Sequence, residues 1–270
     1  MKQFRGALFL ALLVVPSLAH SQGRVTADSI NSRIFGHARR VWVYTPAGYN
    51  TSGAAAYGLV IAFDGDDYRG DTMPLPRVLD SLSAAGKVPP MVALLVDNSS
   101  GAARLADLAN QPAFAEFLAS EAVPWLRSRY KVTRDPRRTI VTGSSAGGLA
   151  AAYVALVHPE VFGNVFSQSG AFWRGAAASN SPPFEWLTGQ YYAQPRKDVR
   201  FFIDVGSGET HRALGNGPVF IDAVRRFRDA LKSKGYDVTY TEVAGGHHAP
   251  DSWRTRLPVG IATLTRFWLE

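Results

Sequence analysis

The sequence predicts an α/β domain, a mostly parallel central sheet with helices on both faces. Three observations carry that reading. Apolar, β-branched runs alternate with helical stretches along most of the chain, the pattern of strands buried on both sides and connected by helical crossovers. A serine flanked by glycines, Gly143-Ser144-Ser145-Ala146-Gly147, stands where one such run gives way to an alanine-rich helical stretch. An acid-bearing turn and a pair of histidines follow two later runs.

In chain order, strands are expected at 40–44, 59–63, 91–96, 139–142, 165–167, 199–205 and 238–243, each short, apolar and rich in Val, Ile, Leu or Phe. Helices are expected at 76–85, 112–130, 147–158, 218–234 and 251–268, where apolar residues recur three and four apart. Gly235 stands just past the fourth helix, the place of a C-cap glycine. The one long stretch without a clear period, 174–197, is rich in Ala, Ser, Pro and aromatics. It reads as a short insertion arching over the C-terminal strand ends, near the site.

The first 21 residues have their own character. Lys2 and Arg5 precede an apolar run at 7–15, then Pro16 and small residues at Ser17, Ala19 and Ser21. This is the pattern of a secretory signal peptide cleaved near Ala19 to Ser21, so the expected product is a periplasmic or secreted protein. The division is therefore 1–21 signal peptide and 22–270 one domain, with no membrane span in the mature chain. The chain has no cysteine, which removes disulfides, a thiol nucleophile and thiolate metal sites. Its net charge of +7 comes from scattered arginines rather than one basic block. Nucleic-acid binding is therefore not expected, while attraction of an acidic small molecule is compatible with that charge.

The segment RTIVTGSSAGGLA at 138–150 reads as a nucleophile elbow with Ser145 at its apex. A hydroxyl becomes a useful nucleophile only when a sharp turn exposes it, a base takes its proton and donors meet the oxyanion that forms. In open α/β sheets these groups lie beyond the carboxyl ends of the strands. After 59–63 comes Asp64-Gly65-Asp66-Asp67-Tyr68, from which an α/β-hydrolase fold would draw one oxyanion donor. The expected donors are the backbone N–H groups of Asp66 and Ala146, with Asp67 beside the substrate; the same acids are also ordinary turn formers or a cation cluster. After 199–205 comes Gly206-Ser207-Gly208-Glu209-Thr210-His211, where Glu209 is the expected triad acid and Asp204 its competitor. After 238–243 comes Gly245-Gly246-His247-His248. His247 is the expected base because it follows the glycine pair, with His248 the alternative near the substrate; His211 is expected to be exposed. Phe172 and Trp173, with Trp186, Tyr191 and Tyr192, would form an aromatic wall for the substrate.

With these residues in hand, the chain resembles the enterochelin (siderophore) esterases and related periplasmic esterases, in the esterase D branch of the α/β hydrolases. The resemblance runs through FDGDDY at 63–68, RVLDSLSAAGKVPPMVALLVDN at 77–98, FLASEAVPWLRSRY at 117–130, GSSAGGLAAAYVALVHPEVFGNVFSQSGAFW at 143–173, and GGHH followed by SWR at 252–254. It implies serine-dependent hydrolysis of carboxylic esters by Ser145, without a metal or organic cofactor. The implied substrate is a small-molecule ester, foremost an enterobactin-like lactone whose ferric tris-catecholate complex is anionic and aromatic. Feruloyl or other acyl esters are the alternative within the same fold. A weakly catalytic siderophore or glycan binding protein is the alternative from another class.

Overall fold

A computed structural model describes residues 22–53, 55–99, 101–176 and 182–269. The expected signal peptide lies outside the described residues. Among these residues eight strands form one sheet: β1 (Arg24–Asn31), β2 (Ala38–Thr45), β3 (Gly58–Phe63), β4 (Met91–Val96), β5 (Thr139–Ser144), β6 (Asn164–Gln168), β7 (Arg200–Gly206) and β8 (Asp237–Val243). Their spatial order is β1-β2-β4-β3-β5-β6-β7-β8. Strands β3 to β8 pair in parallel, and only β1 with β2 and β2 with β4 are antiparallel. The mostly parallel sheet is therefore present, extended by an edge strand the apolar pattern did not show. In β1 only Ile30 is buried, so the strand lacks the hydrophobic alternation that betrays a half-buried strand.

The pleat divides the core in two. Leu59, Ile61 and Phe63 of β3 face one apolar layer together with Val92, Leu94 and Val96 of β4, while Val60, Ala62, Ala93 and Leu95 face the other. Since both faces are covered, every residue of β3, β4 and β5 is buried, and that produces the continuous apolar runs in the sequence.

Among the described residues ten α-helices surround the sheet: α1 (Gly65–Arg69), α2 (Leu75–Ala84), α3 (Gly101–Leu108), α4 (Pro112–Glu116), α5 (Val123–Arg129), α6 (Ala146–Val157), α7 (Trp186–Ala193), α8 (Phe220–Ser233), α9 (Pro250–Arg254) and α10 (Leu257–Thr265). Helices α2 and α10 supply Leu75, Leu79, Leu82, Leu257, Ile261 and Leu264 to one layer; α6 and α8 lie in the other. The helix expected over 112–130 is interrupted by a π-helical stretch, Phe117–Ala122, between α4 and α5. Pro124 explains the wider turn: it has no N–H to give and its ring crowds the carbonyl four residues back. The stretch 251–268 likewise divides into α9, α10 and a 3-10 turn, with Pro258 opening α10.

The segment 174–197 is not the loose arch its composition suggests. It carries α7, whose Leu187 and Tyr191 are buried, and the Tyr191 hydroxyl donates to the Ala152 carbonyl of α6 at 2.8 Å. Residues 177–181 of that segment lie outside the described residues.

Candidate active site

Strand β5 ends at Ser144 and α6 begins at Ala146, so one residue, Ser145, makes the whole turn. Its backbone is at φ 56° and ψ −118°, a conformation that side-chain-bearing residues rarely hold. Neighbouring glycines make room for it. A Cβ on Gly143 would lie 2.6 Å from the carbonyl carbon of Gly147, and one on Gly148 would lie 2.6 Å from the Ser167 hydroxyl. The carbonyl of Ser145 accepts from Leu149 and Ala171, which ties the turn to α6 and to the chain beyond β6.

The histidine facing Ser145 is His248, not His247. His248 Nε2 lies 2.9 Å from Ser145 Oγ, and His248 Nδ1 lies 2.7 Å from Glu209 Oε2. The expectation for His247 is therefore corrected. Its backbone N–H donates to Ser252 Oγ at 3.1 Å and its ring turns outward to Asp251 at 2.9 Å, with 57 % of the side chain exposed. The glycines before it set this direction. Gly206, at the end of β7, packs so closely on Gly246 that a Cβ there would come within 2.3 Å of the Gly246 carbonyl carbon. Gly208 N–H donates to Gly246 O and Ser207 N–H to Val243 O, so the acid turn and the histidine turn are laced together. The second histidine is the one that faces inward.

Glu209 stands where the sequence places it, and Asp204 does not compete. Asp204 is buried within β7, 3.0 Å from Arg256. Burial raises its carboxyl to about 7, and Arg256 offsets only part of that. Glu209 is also buried, and burial pushes its carboxyl up, but hydrogen bonds from His248, Ser169 and Gly206 outweigh this and hold it below the ordinary value. Ser169 Oγ donates to Glu209 Oε1 at 2.6 Å and Gly206 N–H to the same oxygen at 2.8 Å, leaving Oε2 for His248.

Ser169 and Trp253 are site residues that sequence reasoning missed. The Trp253 indole N–H donates to Ser169 Oγ at 3.0 Å, and the Trp253 ring stands edge-on to His248 at 4.9 Å. Phe220 flanks the imidazole on another side at 4.6 Å. The available signal was Ser167-Gln168-Ser169-Gly170 directly after a strand, whose polar residues drew less weight than the aromatics behind them. His211 is exposed, as expected, at 6.1 Å from the His248 ring.

The residues expected to supply oxyanion donors, Asp66 and Ala146, lie in the first turns of α1 and α6. Ala146 opens α6, so its N–H is one of the donors that no helical carbonyl can take. In α1 the N–H groups of Asp67 and Tyr68 both donate to the Asp64 carbonyl, and the Asp66 N–H comes before them. Asp64, at φ 55°, is fixed by two neighbours. Its N–H donates to Asn98 Oδ1 at 3.0 Å, and its carboxylate takes Arg104 in a two-toothed pair at 2.6 and 2.7 Å. Arg104 also approaches the Ser144 carbonyl at 3.4 Å. Asp66 pairs with Arg69, and Asp67 is exposed. Burial, then Asp64 and Asp66, raises the Asp67 carboxyl, with Arg104 acting against them. Asp64 and Asp66 are thus engaged by different arginines, and among the described residues no group of three His, Cys, Asp or Glu converges as a metal site.

The aromatic wall does not form as expected. Phe172 is fully buried and stacks on Phe227 of α8 at 3.8 Å, and Tyr191 is enclosed by Phe201, Phe227 and Tyr236. Both belong to the core. Trp173 is 7 % exposed with the Arg174 guanidinium over its ring, Trp186 is half-buried against Tyr153, and Tyr192 is exposed.

The family model described as "Putative esterase" matches residues 32–264. The iron(III) enterobactin esterase of Dickeya dadantii is 36% identical over 260 residues, covering 92% of this chain and 56% of that protein. The crystal structure of the enterobactin esterase of Shigella flexneri in the presence of enterobactin superposes with a TM-score of 0.78 at 26% identity, over 91% of this chain and 60% of that one. A ferulic acid esterase shares the fold alone, with a TM-score of 0.75 at 17% identity, over 92% of this chain and 99% of that one. The chain spans little more than half the length of the curated enterobactin esterases it matches. The matched span, which includes the elbow at Ser145, shows that the chain belongs to this esterase family and has the α/β-hydrolase fold.

Proposed function

We propose that the protein is an exported serine esterase that hydrolyses carboxylic esters, foremost those of a catecholate siderophore. The observation that carries the reading is the hydrogen-bonded line from Ser145 Oγ through His248 to Glu209, at 2.9 and 2.7 Å. In the proposed reaction Ser145 attacks the ester carbonyl while His248 Nε2 takes the hydroxyl proton. The oxyanion is met by the N–H groups of Ala146 and Asp66. His248 then returns the proton to the leaving alcohol, and water, activated by the same imidazole, releases the acid from Ser145. Glu209 holds Nδ1 protonated and steadies the imidazolium.

The substrate reading draws on the relatives named as iron(III) enterobactin esterases and on the net charge of +7. A basic protein favours an anionic ferric tris-catecholate, whose iron is cargo rather than cofactor. Export rests on the charged and apolar pattern of residues 2–21.

Labelling with a fluorophosphonate probe tests the enzyme reading. The native protein is expected to label, and Ser145→Ala to remain unlabelled. A folded native protein that does not label would overturn the esterase and leave a binding protein on a hydrolase scaffold. Comparing kcat/KM for an enterobactin-like lactone, a feruloyl ester and a short acyl ester tests the substrate, and faster turnover of the feruloyl ester would replace the siderophore reading. N-terminal sequencing of protein recovered from the periplasm tests export, with a start between residues 20 and 22 as the expected result.

A further inference from the structure

We infer that Asp204 and Arg256, a buried ion pair between β7 and the helices after the histidine turn, are positioning residues that decide which histidine faces Ser145. The inference rests on the catalytic line proposed for Ser145, His248 and Glu209, and extends it to side chains that touch none of the three.

Phe166 of β6 and Phe202 of β7 share an apolar layer with Trp253, Leu257 and Ile261. Two residues further along each strand, on the same face, the sequence turns polar: Gln168 and Asp204, which are register partners. Both reach the segment that follows the histidines. Gln168 Nε2 donates to the Trp253 carbonyl at 2.9 Å. Arg256, between α9 and α10, brings Nη1 to 3.0 Å from Asp204 Oδ1, while its Nε donates to the Ser252 carbonyl at 3.1 Å and its Nη2 to Ser252 Oγ at 3.3 Å. Ser252 Oγ in turn accepts the backbone N–H of His247 at 3.1 Å. Polar contacts therefore run without a break from Asp204 to the residue before His248.

Stability alone explains such a pair poorly. Both side chains are buried, and taking two charges out of water costs about as much as their attraction returns. What the guanidinium supplies is direction, since its rigid fork meets the strand with one arm and Ser252 with two other donors. The effect falls on one peptide unit. The carbonyl of Gly246 accepts from Gly208 N–H, and the N–H of His247, in the same peptide, donates to Ser252 Oγ. That plane is thus held by the acid turn on one side and by the Arg256 side on the other. With the plane fixed, His247 turns out to Asp251 and His248 turns in to Ser145. A small rotation of this peptide would move the base, and about 1 Å of misplacement is enough to slow catalysis greatly.

The test uses the full chain at about pH 8, above the value of about 7 to which burial raises Asp204, so that both partners are charged. D204N combined with R256M removes the two charges together and leaves neither buried alone. This double variant should keep a cooperative thermal transition close to that of the native protein, with kcat for a p-nitrophenyl ester lowered at least tenfold and KM within about threefold. Nitrogen-15 shifts of the His248 ring, assigned by their loss in H248Q, read the placing of the imidazole without turnover. Native His248 should carry its proton on Nδ1, facing Glu209, and the double variant should show a mixture with the Nε2 form. S252A leaves both charges paired and breaks only the hydroxyl link, so it keeps the test open if the double variant does not fold. It should lower kcat at least threefold, with the same change at the ring nitrogens. A folded variant that keeps either the native kcat or the pure Nδ1 form would overturn the positioning role. A native protein that turns over no ester would overturn the esterase reading instead, and the ring shifts would then decide this inference alone.

Discussion

Ser169 donates its hydroxyl to Glu209 Oε1 at 2.6 Å, so the carboxylate that faces His248 is held from behind by a residue on a different strand end. The same hydroxyl oxygen accepts from the Trp253 indole, which links the ends of β6, β7 and the helix after the histidine turn. Orientation of the acid therefore does not depend on its own turn alone. Replacing Ser169 by Ala leaves a buried indole N–H without its acceptor and a buried carboxylate with one donor fewer. The expected cost is about 1–3 kcal/mol of folding stability, read by denaturant unfolding, with a fall in kcat larger than any change in KM.

The two adjacent histidines give opposite expectations. Because His248 Nε2 reaches Ser145 and His247 points at Asp251, His248→Ala should lower kcat/KM by roughly 10³-fold or more. His247→Ala should stay within about threefold of the native protein, because it removes only an exposed pair. Steady-state hydrolysis of a p-nitrophenyl ester compares them directly. Equal losses would mean that the line through His248 is not the catalytic one.

Glu209→Gln keeps the shape and removes the charge. It should lower kcat by about 10²–10⁴-fold, since the amide no longer stabilises an imidazolium. A pH consequence follows from the depressed carboxyl. A group held below its ordinary value in the folded state stabilises the fold above the unfolded value, about 4.5, and loses that contribution as pH falls through the folded value. The stability difference between native protein and E209Q should therefore be constant from pH 7 down to about 5 and shrink below 4.5. A difference that grows on acidification would contradict the placement of Glu209 as a bonded carboxylate.

Much of this site was legible because its chemistry is tied to strand ends. Ser145 and Glu209 each follow a continuous apolar run, and such runs locate strands without any knowledge of packing. The choice between His247 and His248 was not legible, because it turns on a contact between Gly206 and Gly246, forty residues apart. Phe172 fails for a similar reason. Its position after β6 is compatible with a pocket wall, but its stacking partner, Phe227, lies on α8, and only the folded chain brings the two together. Helix α1 was hidden by its length: five residues holding Gly65, Asp66 and Asp67 read as a turn, and the helix owes its place to Asn98 and Arg104 rather than to propensity. Strand β1 escaped because it is polar, and antiparallel pairing with β2 rather than burial makes it a strand.

The Gly206 contact yields the last expectation. A Cβ at this position would lie 2.3 Å from the carbonyl carbon and oxygen of Gly246 and 2.7 Å from the His247 nitrogen. All three are backbone atoms, so no rotamer change relieves the clash, and one of the two turns must move. Overpacking of this kind costs about 1–3 kcal/mol, but activity should suffer more than stability. The histidine turn carries His248, and a shift of about 1 Å in a catalytic group is enough to cost roughly 100-fold in rate. Gly206→Ala should therefore remain folded, with a cooperative thermal transition, and lose at least tenfold in kcat. Gly208→Ala is the control on the same turn: its Cβ meets only the Gly246 carbonyl oxygen, at 3.0 Å, and should cost less on both measures. If G206A kept native kcat, the spacing of the acid and histidine turns would not be what fixes His248 against Ser145.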